Sequence, residues 1–191
     1  MKVSKILLDY MLAVLCLIVL LFPLLFLFVI STLDTGQNGI FIQKRIGKEG
    51  KSFYLYKLRT MKGNYISSVT TNQMEITNFG RFLRRYKLDE LPQILNIIKG
   101  DMSWVGPRPD IEGYADQLTG EDRIILSVKP GITGPAQLKY RNEEEILSQV
   151  ENPQQYNDEV IWKDKVRINK KYVKNWSLSQ DLRYLYKTVF S

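Results

Sequence analysis

The chain of 191 residues contains no histidine and a single cysteine, Cys16. Without histidine, His-based triads and most zinc sites are excluded. Because Cys16 lies inside a long apolar run, the sequence also offers no disulfide framework and no thiolate metal cluster. Any chemistry must therefore use carboxylates, lysine, arginine, tyrosine or hydroxyl groups, and a hard cation such as Mg²⁺ is the natural metal partner.

Charged residues are also missing from the twenty positions between Met11 and Ile30. A helix of that length covers the roughly 30 Å core of a bilayer. Pro23 interrupts the run, and since proline removes a helix hydrogen bond, we expect a bend near Phe22. A cleaved signal peptide is the weakest interpretation, because the run is long and no small-residue cleavage site follows it.

The charges on either side of the run bear on the two remaining interpretations, a simple span and a re-entrant helix. They are Lys2 and Lys5 before it, and Lys44, Arg45, Lys48 and Lys51 after it. Positive flanks prefer the cytoplasm, so a helix that bends at Pro23 and returns to the same face satisfies both, and the charge rule favours it by roughly two to one. Proline is tolerated in true spans. Asp9 is expected at the interface, where its carboxylate stays hydrated.

The formal net charge of +7 fits anionic lipid headgroups first and phosphorylated substrates second. Nucleic acid is not expected as a partner, because the sequence has no basic recognition helix, zinc-finger spacing or strand-borne aromatic motif. Beyond the anchor, about 155 residues remain, enough for one compact domain.

Turn residues and periodicity predict the elements that follow the anchor. Two strands, 40–42 and 53–58, should form a hairpin around a turn at Gly47 and Gly50. A polar loop is predicted for 62–77, and a short basic helix or turn for 79–86.

The clearest helix lies in KLDELPQILNIIKG, where apolar residues recur at helical spacing and Gly100 ends the pattern. Asp89 is predicted as its N-cap and Pro92 as a first-turn residue. Two rigid loops, 106–110 and 129–137, follow. A further helix is predicted from about 158 to 175, and a capping-box pattern at Ser177 opens a final helix. Both terminal helices either pack as core or lie on the membrane.

Asp89 and Glu90 form the carboxylate pair with the strongest chemical context. Helix starts are commonly acidic, so the pair alone favours a structural role by roughly three to one. Arg84, Arg85 and Lys87 lie directly upstream, however, and a helix N-terminus attracts anions. A carboxylate there should keep a low pKa and stay ionised, as a nucleophile that attacks phosphorus requires, with the cations supporting the transition state.

Further cations occur in turn-rich segments: Lys57, Arg59, Arg108 and Arg141. Taken singly, each is best explained as a solvated surface charge. Arg108 is the exception, because Pro107 and Pro109 make its backbone rigid and so suit an arginine that binds phosphate bidentately. Glycines such as Gly131 allow backbone to approach a ligand, or only make turns.

The motifs around these residues resemble one known family. The chain is similar, over nearly its whole length, to the small monotopic phosphoglycosyl transferases of the bacterial sugar transferase family. LDELPQ and VGPRP, behind a proline-broken anchor, are the most specific combination. The other matching motifs are FIQKRIG (41–47), YKLRTM (56–61), FGRFLRRY (79–86), KPGITGPAQ (129–137) and YVKNWSLSQDLRYLYKT (172–188).

The resemblance implies transfer of a phosphosugar from a UDP-sugar donor to polyprenol phosphate, giving a polyprenyl-diphosphate sugar and UMP by a ping-pong route. It implies Asp89 as the nucleophile and Mg²⁺ ligand, with Glu90 assisting in metal binding or proton handling. It implies phosphate or nucleotide contacts for Arg84, Arg108 and Arg141, and a basic motif near the site at Lys57 and Arg59. Pro23, Pro107, Pro109 and Gly131 would be structural residues.

Together these features predict an α/β, mainly helical monotopic membrane protein with a re-entrant N-terminal helix, interfacial amphipathic helices and a small β-hairpin. Residues 1–33 would form the membrane hairpin and 34–191 the catalytic domain, on the cytoplasmic face of a bacterial inner membrane. The product would initiate a capsule, exopolysaccharide, O-antigen or glycoprotein glycan. A homodimer is compatible with the sequence, and an inactive membrane-bound scaffold for glycan assembly is the alternative.

Two positions depart from the family pattern. Phe22 precedes the helix-breaking proline where serine is common, so the bend must rely on other partners for its freed backbone groups. TGPAQ (133–137) stands where TGLAQ or TGWAQ is more usual, so the loop is expected to differ in shape.

Overall fold

A computed structural model describes residues 3–63 and 75–190, except for the side chain of Glu144. Within these ranges the protein is mostly helical and has two small two-stranded sheets. The chain divides into two compact units. Among the described residues, the N-terminal unit comprises 3–45, 53–63 and 75–102, and the C-terminal unit comprises 46–52 and 103–190.

The apolar run forms part of one helix, α1 (Val3–Thr35), which continues through Pro23. The helix is long and apolar enough to cross a membrane. Its buried side chains lie only near its two ends: Lys5, Asp9 and Ala13 at one, Ser31 and Thr35 at the other. The prediction that the Asp9 carboxylate stays hydrated was wrong, because Asp9 is only 5% exposed. Lys5, which is also buried, lies one turn away on the same helix face.

The predicted hairpin is confirmed, and β1 is longer than expected. β1 (Ile40–Ile46) pairs with β2 (Ser52–Leu58). A short 3₁₀ turn, Lys48–Gly50, joins them. Gly50 adopts a φ of +77° there, a conformation that glycine enters without steric cost.

The predicted short basic helix is α2 (Asn78–Arg85), which is capped by the Thr77 side chain accepting from Gly80 N at 2.8 Å. Before it, Met61 forms an antiparallel bridge with Ile76, and Thr77 N donates to Thr60 O at 3.2 Å. The ends of the predicted loop 62–77 are therefore paired. Its middle part, 64–74, lies outside the described residues.

Asp89 is not the N-cap of the next helix, contrary to the prediction. A 3₁₀ turn, Leu88–Glu90, comes first, and α3 (Gln93–Lys99) begins only after Pro92. Because Pro92 has no N–H, it cannot donate an α-helical hydrogen bond. The preceding turn is closed by hydrogen bonds between residues three positions apart, such as Leu91 N to Leu88 O at 3.2 Å. Gly100 ends α3 at a φ of 87°, as predicted.

The C-terminal unit is built on a short parallel pair, β3 (Ser103–Val105) and β4 (Gly131–Thr133), with Ser103 opposite Gly131. Two 3₁₀ segments, Ala115–Gln117 and Gly120–Ser127, lie between them. Five helices follow: α4 (Pro135–Lys139), α5 (Glu143–Ser148), α6 (Pro153–Tyr156), α7 (Trp162–Lys174) and α8 (Leu178–Phe190).

The helix predicted from residue 158 begins earlier, since α6 runs through a π-turn, Asn157–Ile161, into α7. α7 packs on a core that includes Ile125, Leu126 and Val166. α8 opens at Ser177, whose Oγ accepts from Gln180 N at 3.3 Å, as the capping pattern predicted.

The apolar side chains of α8 do not form a core. Leu182 is 51% exposed and Val189 72% exposed, while the buried residue of the helix is Asp181. Asp181 accepts hydrogen bonds from Tyr172 Oη at 2.7 Å and Trp176 Nε1 at 2.9 Å. Of the two alternatives for the terminal helices, α7 therefore packs as core, and α8 leaves an apolar surface exposed.

Candidate active site

The carboxylate pair lies in a tight turn between α2 and α3. Lys87 adopts a left-handed conformation with φ of 56°, which is uncommon for a residue with a side chain. Glu90 N donates to Lys87 O at 3.3 Å and closes the turn. The local backbone is thus held by turn bonds on one side and by α3 on the other, so the position of Asp89 is well determined.

Both carboxylates are largely withdrawn from solvent, with Asp89 and Glu90 each 9% exposed. Within residues 3–63 and 75–190, Oδ1 of Asp89 is buried and has no hydrogen-bond partner. Burying a polar atom without a partner costs free energy. Such an atom in a native fold is a feature that a ligand, an ion or a reaction can explain.

Cationic side chains of the same unit lie around the pair. Lys57 Nζ is 3.4 Å from Glu90 Oε1, and both side chains are mostly buried. Arg84 Nε donates to Thr60 Oγ1 at 3.0 Å, and its Nη2 lies 3.1 Å from Met61 Sδ. The N-terminal unit therefore brings together four of the predicted site residues: Lys57, Arg84, Asp89 and Glu90.

The pKa of Asp89 is raised above its ordinary value, mainly because burial disfavours the charged carboxylate and secondly because Glu90 repels it. Lys57, Arg84 and Lys87 lower the pKa, but not enough to reverse this effect. The predicted low pKa was therefore wrong. The sequence reveals the neighbouring charges, whereas the loss of solvent arises only when the turn is folded.

Arg59 has other contacts within the N-terminal unit. Its Nε donates to Asn38 O at 2.8 Å, and its guanidinium lies 5.4 Å from the centre of the Phe41 ring. It packs against the turn that follows α1. Pro23 lies in the exposed middle of α1.

The C-terminal unit brings together the predicted residues Pro107, Arg108, Pro109 and Gly131. Gly131 N donates to Pro107 O at 2.8 Å. A Cβ on Gly131 would lie 2.1 Å from Gly106 N, so glycine is required where the two loops touch. At Gly131 the structure shows close packing of backbone on backbone, a role that was not predicted from the sequence. Arg108 is half-buried between its two buried prolines.

Arg141 follows α4 in the C-terminal unit and is exposed. It lines an open surface depression together with Asn142, Glu145 and Gln149. A phosphate or nucleotide contact for Arg141, as for Arg108, stays a prediction.

Comparison with known proteins identifies the family. The profile of the family described as bacterial sugar transferase matches residues 1–191. The chain belongs to this family. The predicted resemblance is thereby confirmed.

Several curated relatives are similar along most of this chain. The uncharacterized sugar transferase EpsL of Bacillus subtilis is 38% identical over 172 residues, which cover 87% of this chain and 75% of EpsL. The exopolysaccharide production protein ExoY of Sinorhizobium fredii is 33% identical, with 98% of this chain and 84% of ExoY covered.

A third relative, from Xanthomonas campestris, is named UDP-glucose:undecaprenyl-phosphate glucose-1-phosphate transferase. It is 37% identical over 98% of this chain, but the match covers only 38% of that enzyme. The chain thus corresponds to a little over a third of that longer relative and to most of EpsL and ExoY.

The residues of the pair fit the Mg²⁺ that the family resemblance implies. The described residues contain no cluster of three or more acidic, cysteine or histidine side chains that could form a complete metal cage. Mg²⁺ does not need one, because it commonly binds one or two carboxylates, waters and substrate phosphates. The Oδ1 of Asp89, for which the described residues provide no hydrogen-bond donor, is a suitable oxygen ligand.

Sequence reasoning missed the residues that hold this site in place. Thr60 and Met61 contact Arg84, and the buried amide of Asn96 binds the backbone of β2. Thr60 and Met61 belong to the YKLRTM motif, where only the cations were singled out. Asn96 is a polar residue between the apolar positions of α3, and that interruption was the available signal.

Proposed function

We propose that the protein transfers a phosphosugar from a UDP-sugar to polyprenol phosphate and releases UMP. The observation that carries this proposal is the Oδ1 of Asp89, which is buried and has no hydrogen-bond partner in the described part of the chain, in a turn where Lys57, Arg84 and Lys87 act on the same carboxylate. The substrate classes come from the named relatives, one of which uses UDP-glucose and undecaprenyl phosphate. Family membership over the full chain supports the reaction type.

In the first step, a carboxylate oxygen of Asp89 attacks the phosphorus that carries the sugar. A new bond forms between this oxygen and phosphorus, the bond between that phosphorus and the bridging oxygen breaks, and UMP leaves with the electron pair. In the second step, a phosphate oxygen of the polyprenol phosphate attacks the same phosphorus. Asp89 departs as a carboxylate, and the product is a polyprenyl-diphosphate sugar.

The neighbouring groups suit both steps. Lys57, Arg84 and Lys87 favour the ionised form of Asp89, which is the nucleophilic form. The same cations can bind the charged phosphate oxygens of the donor, and partial burial strengthens the effect of Lys57 and Arg84. Glu90, paired with Lys57, is proposed as the assisting carboxylate. Arg108 and Arg141 are proposed to add donor contacts, as the family resemblance implies.

Mg²⁺ bound at Asp89 would neutralise charge on the donor diphosphate. The side chains of Asp89 and Glu90 would provide its protein ligands, and Lys57 would keep Glu90 oriented.

A membrane location explains the anchor. A water-soluble donor and a lipid-linked acceptor can meet only at the interface, and we propose that the protein acts at the cytoplasmic face of the inner membrane. The exposed apolar side chains of α8 suit an interfacial helix. The re-entrant form of α1 is supported by buried side chains at both of its ends, whereas residues 14–30 include no buried side chain.

The re-entrant proposal predicts that both flanks of α1 are reached from the same side of the membrane. Cysteines introduced by Ser4→Cys or Lys51→Cys, each in a Cys16→Ala background, should react with a membrane-impermeant maleimide in inverted vesicles and not in intact spheroplasts. Both positions are exposed in the structure. Labelling from opposite sides would show that α1 is a simple span.

The proposed activity predicts UMP release from at least one UDP-sugar when purified protein, Mg²⁺ and polyprenol phosphate are combined. A panel of UDP-hexoses and UDP-N-acetylhexosamines, each with and without the acceptor, would identify the donor. Extraction of a labelled lipid product would establish the transfer. If every donor fails while the protein remains folded, the alternative of an inactive scaffold for glycan assembly is the better explanation.

A further inference from the structure

The guanidinium of Arg84 is held by the hydroxyl group of Thr60. Thr60 follows β2 and is 6% exposed. Its Oγ1 accepts a hydrogen bond from Arg84 Nε at 3.0 Å. The neighbouring Met61 places Sδ 3.1 Å from Nη2 of the same guanidinium. Because a thioether is a weak acceptor, Thr60 is the stronger of these two contacts.

The backbone of Thr60 is itself fixed against the start of α2. Thr60 O accepts from Thr77 N at 3.2 Å, and Thr77 in turn caps α2 through Gly80 N at 2.8 Å. A Cβ on Gly80 would lie 2.1 Å from Thr60 O. The helix that carries Arg84 therefore packs directly on the Thr60 carbonyl, and the hydroxyl group meets the guanidinium from a rigid base.

A planar guanidinium binds phosphate well only when its orientation is right, since its N–H groups form a fixed fork. A hydrogen bond at Nε fixes one edge of this plane and directs the remaining N–H groups. Arg84 lies in the same unit as Asp89 and electrostatically favours the ionised carboxylate. Its orientation therefore affects both the nucleophile and any phosphate that approaches it.

We propose that Thr60 is a positioning residue that orients the guanidinium of Arg84 toward the diphosphate of the donor. This inference rests on the proposed function, because it deepens the role of Arg84 in the same site. The hydroxyl oxygen is the functional group, and it acts through Arg84 without contacting the substrate. A side chain of similar shape that lacks the oxygen should therefore lose the effect.

Thr60→Val tests this directly, because valine keeps the shape and removes the acceptor. The donor KM should rise about tenfold, the size expected for a hydrogen bond to a charged group, while kcat changes less than about threefold because Arg84 binds ground state and transition state alike. Thr60→Ser, which keeps the oxygen, should restore the donor KM to within about twofold.

Three comparisons decide the outcome. In an Arg84→Gln background, Thr60→Val should add no further loss, since coupled residues are not additive. Thr35→Val, at a buried threonine of α1, is the matched control and should leave the donor KM unchanged. Should Thr60→Val fail to fold, as judged by its melting temperature, Thr60→Ala takes its place. The proposal would be overturned if the KM losses of Thr60→Val and Arg84→Gln added fully in the double variant, or if Thr60→Ser were as impaired as Thr60→Val.

The inference can be separated from the proposed function. If the unmodified protein releases no UMP from any donor, the proposed function fails. Titration calorimetry with UDP and Mg²⁺ would still show whether the Kd rises about tenfold in Thr60→Val and not in Thr60→Ser. An unchanged Kd in both variants would contradict the positioning role whatever the enzyme assay shows.

Discussion

Replacing Asp89 by asparagine should abolish UMP release, with kcat lower by at least about a thousandfold, as expected when a nucleophile is removed. Asparagine has nearly the same shape, but its amide cannot form the acyl-phosphate bond. A labelled UDP-sugar supplied without acceptor should leave a covalent phosphosugar on the unmodified protein, detectable by intact-mass spectrometry. The variant should carry none. A labelled adduct on Asp89→Asn would exclude Asp89 as the nucleophile.

The same substitution should raise the melting temperature. Burial raises the pKa of Asp89, so its ionised form is less favourable in the folded chain than in the unfolded chain. The stability contribution of Asp89 is fully present below its unfolded pKa and is lost as pH rises through the higher folded value. The gap in melting temperature between variant and unmodified protein should therefore widen over that pH range, and activity should rise over the same range.

The matched control is Asp101→Asn, at an aspartate of the same unit whose half-buried side chain lies 3.7 Å from the exposed Lys99 and accepts from Asn96 Nδ2 at 3.5 Å. Asparagine keeps an oxygen that can accept this bond, and an ion pair with an exposed partner contributes little, so this variant should keep its activity and should not gain stability. If Asp101→Asn lost activity as fully as Asp89→Asn, the defect would reflect general damage to the unit. If Asp89→Asn melted at a lower temperature than the unmodified protein, this would contradict the conclusion that burying the Asp89 charge is unfavourable.

The elements that depend on local chemistry could be predicted from the sequence. Gly50 marked the hairpin turn, Gly100 ended α3, and Ser177 opened α8, because each of these residues determines the backbone of its immediate neighbours. The carboxylate pair and the lysine and arginine beside it were also found, since charge is visible in a sequence. The family motifs then indicated how these residues could work together.

What could not be predicted depends on tertiary packing. The raised pKa of Asp89 follows from lost solvent, and the burial of Asp9 follows from packing at one end of α1. The start of α3 was placed too early, because the acidic residues resembled an N-cap while Pro92 delayed the helix. Thr60 had no signal of its own, since it acts on Arg84, 24 positions away, and Asn96 was visible only as a polar residue that interrupts the apolar pattern of α3.

Asn96→Ala should destabilise the protein more than any other polar substitution proposed for it. Asn96 is fully buried. Its Oδ1 accepts from Tyr56 N at 3.1 Å, and its Nδ2 donates to Tyr54 O at 2.7 Å, so it ties α3 to β2. Alanine leaves both backbone groups without this partner and opens a small cavity. We expect a loss of about 3 kcal/mol and a melting temperature about 10 °C lower.

The effect should extend to the site, because Tyr56 precedes Lys57 on β2. A looser strand would weaken the contact between Lys57 and Glu90, and activity measured well below the new melting temperature should still be reduced. Asn175→Ala is the control, since that side chain is exposed and donates to Lys171 O, one turn earlier on its own helix, at 3.0 Å. A melting temperature for Asn96→Ala equal to that of the control would show that β2 is held by other contacts, and that the amide does not support the catalytic pair.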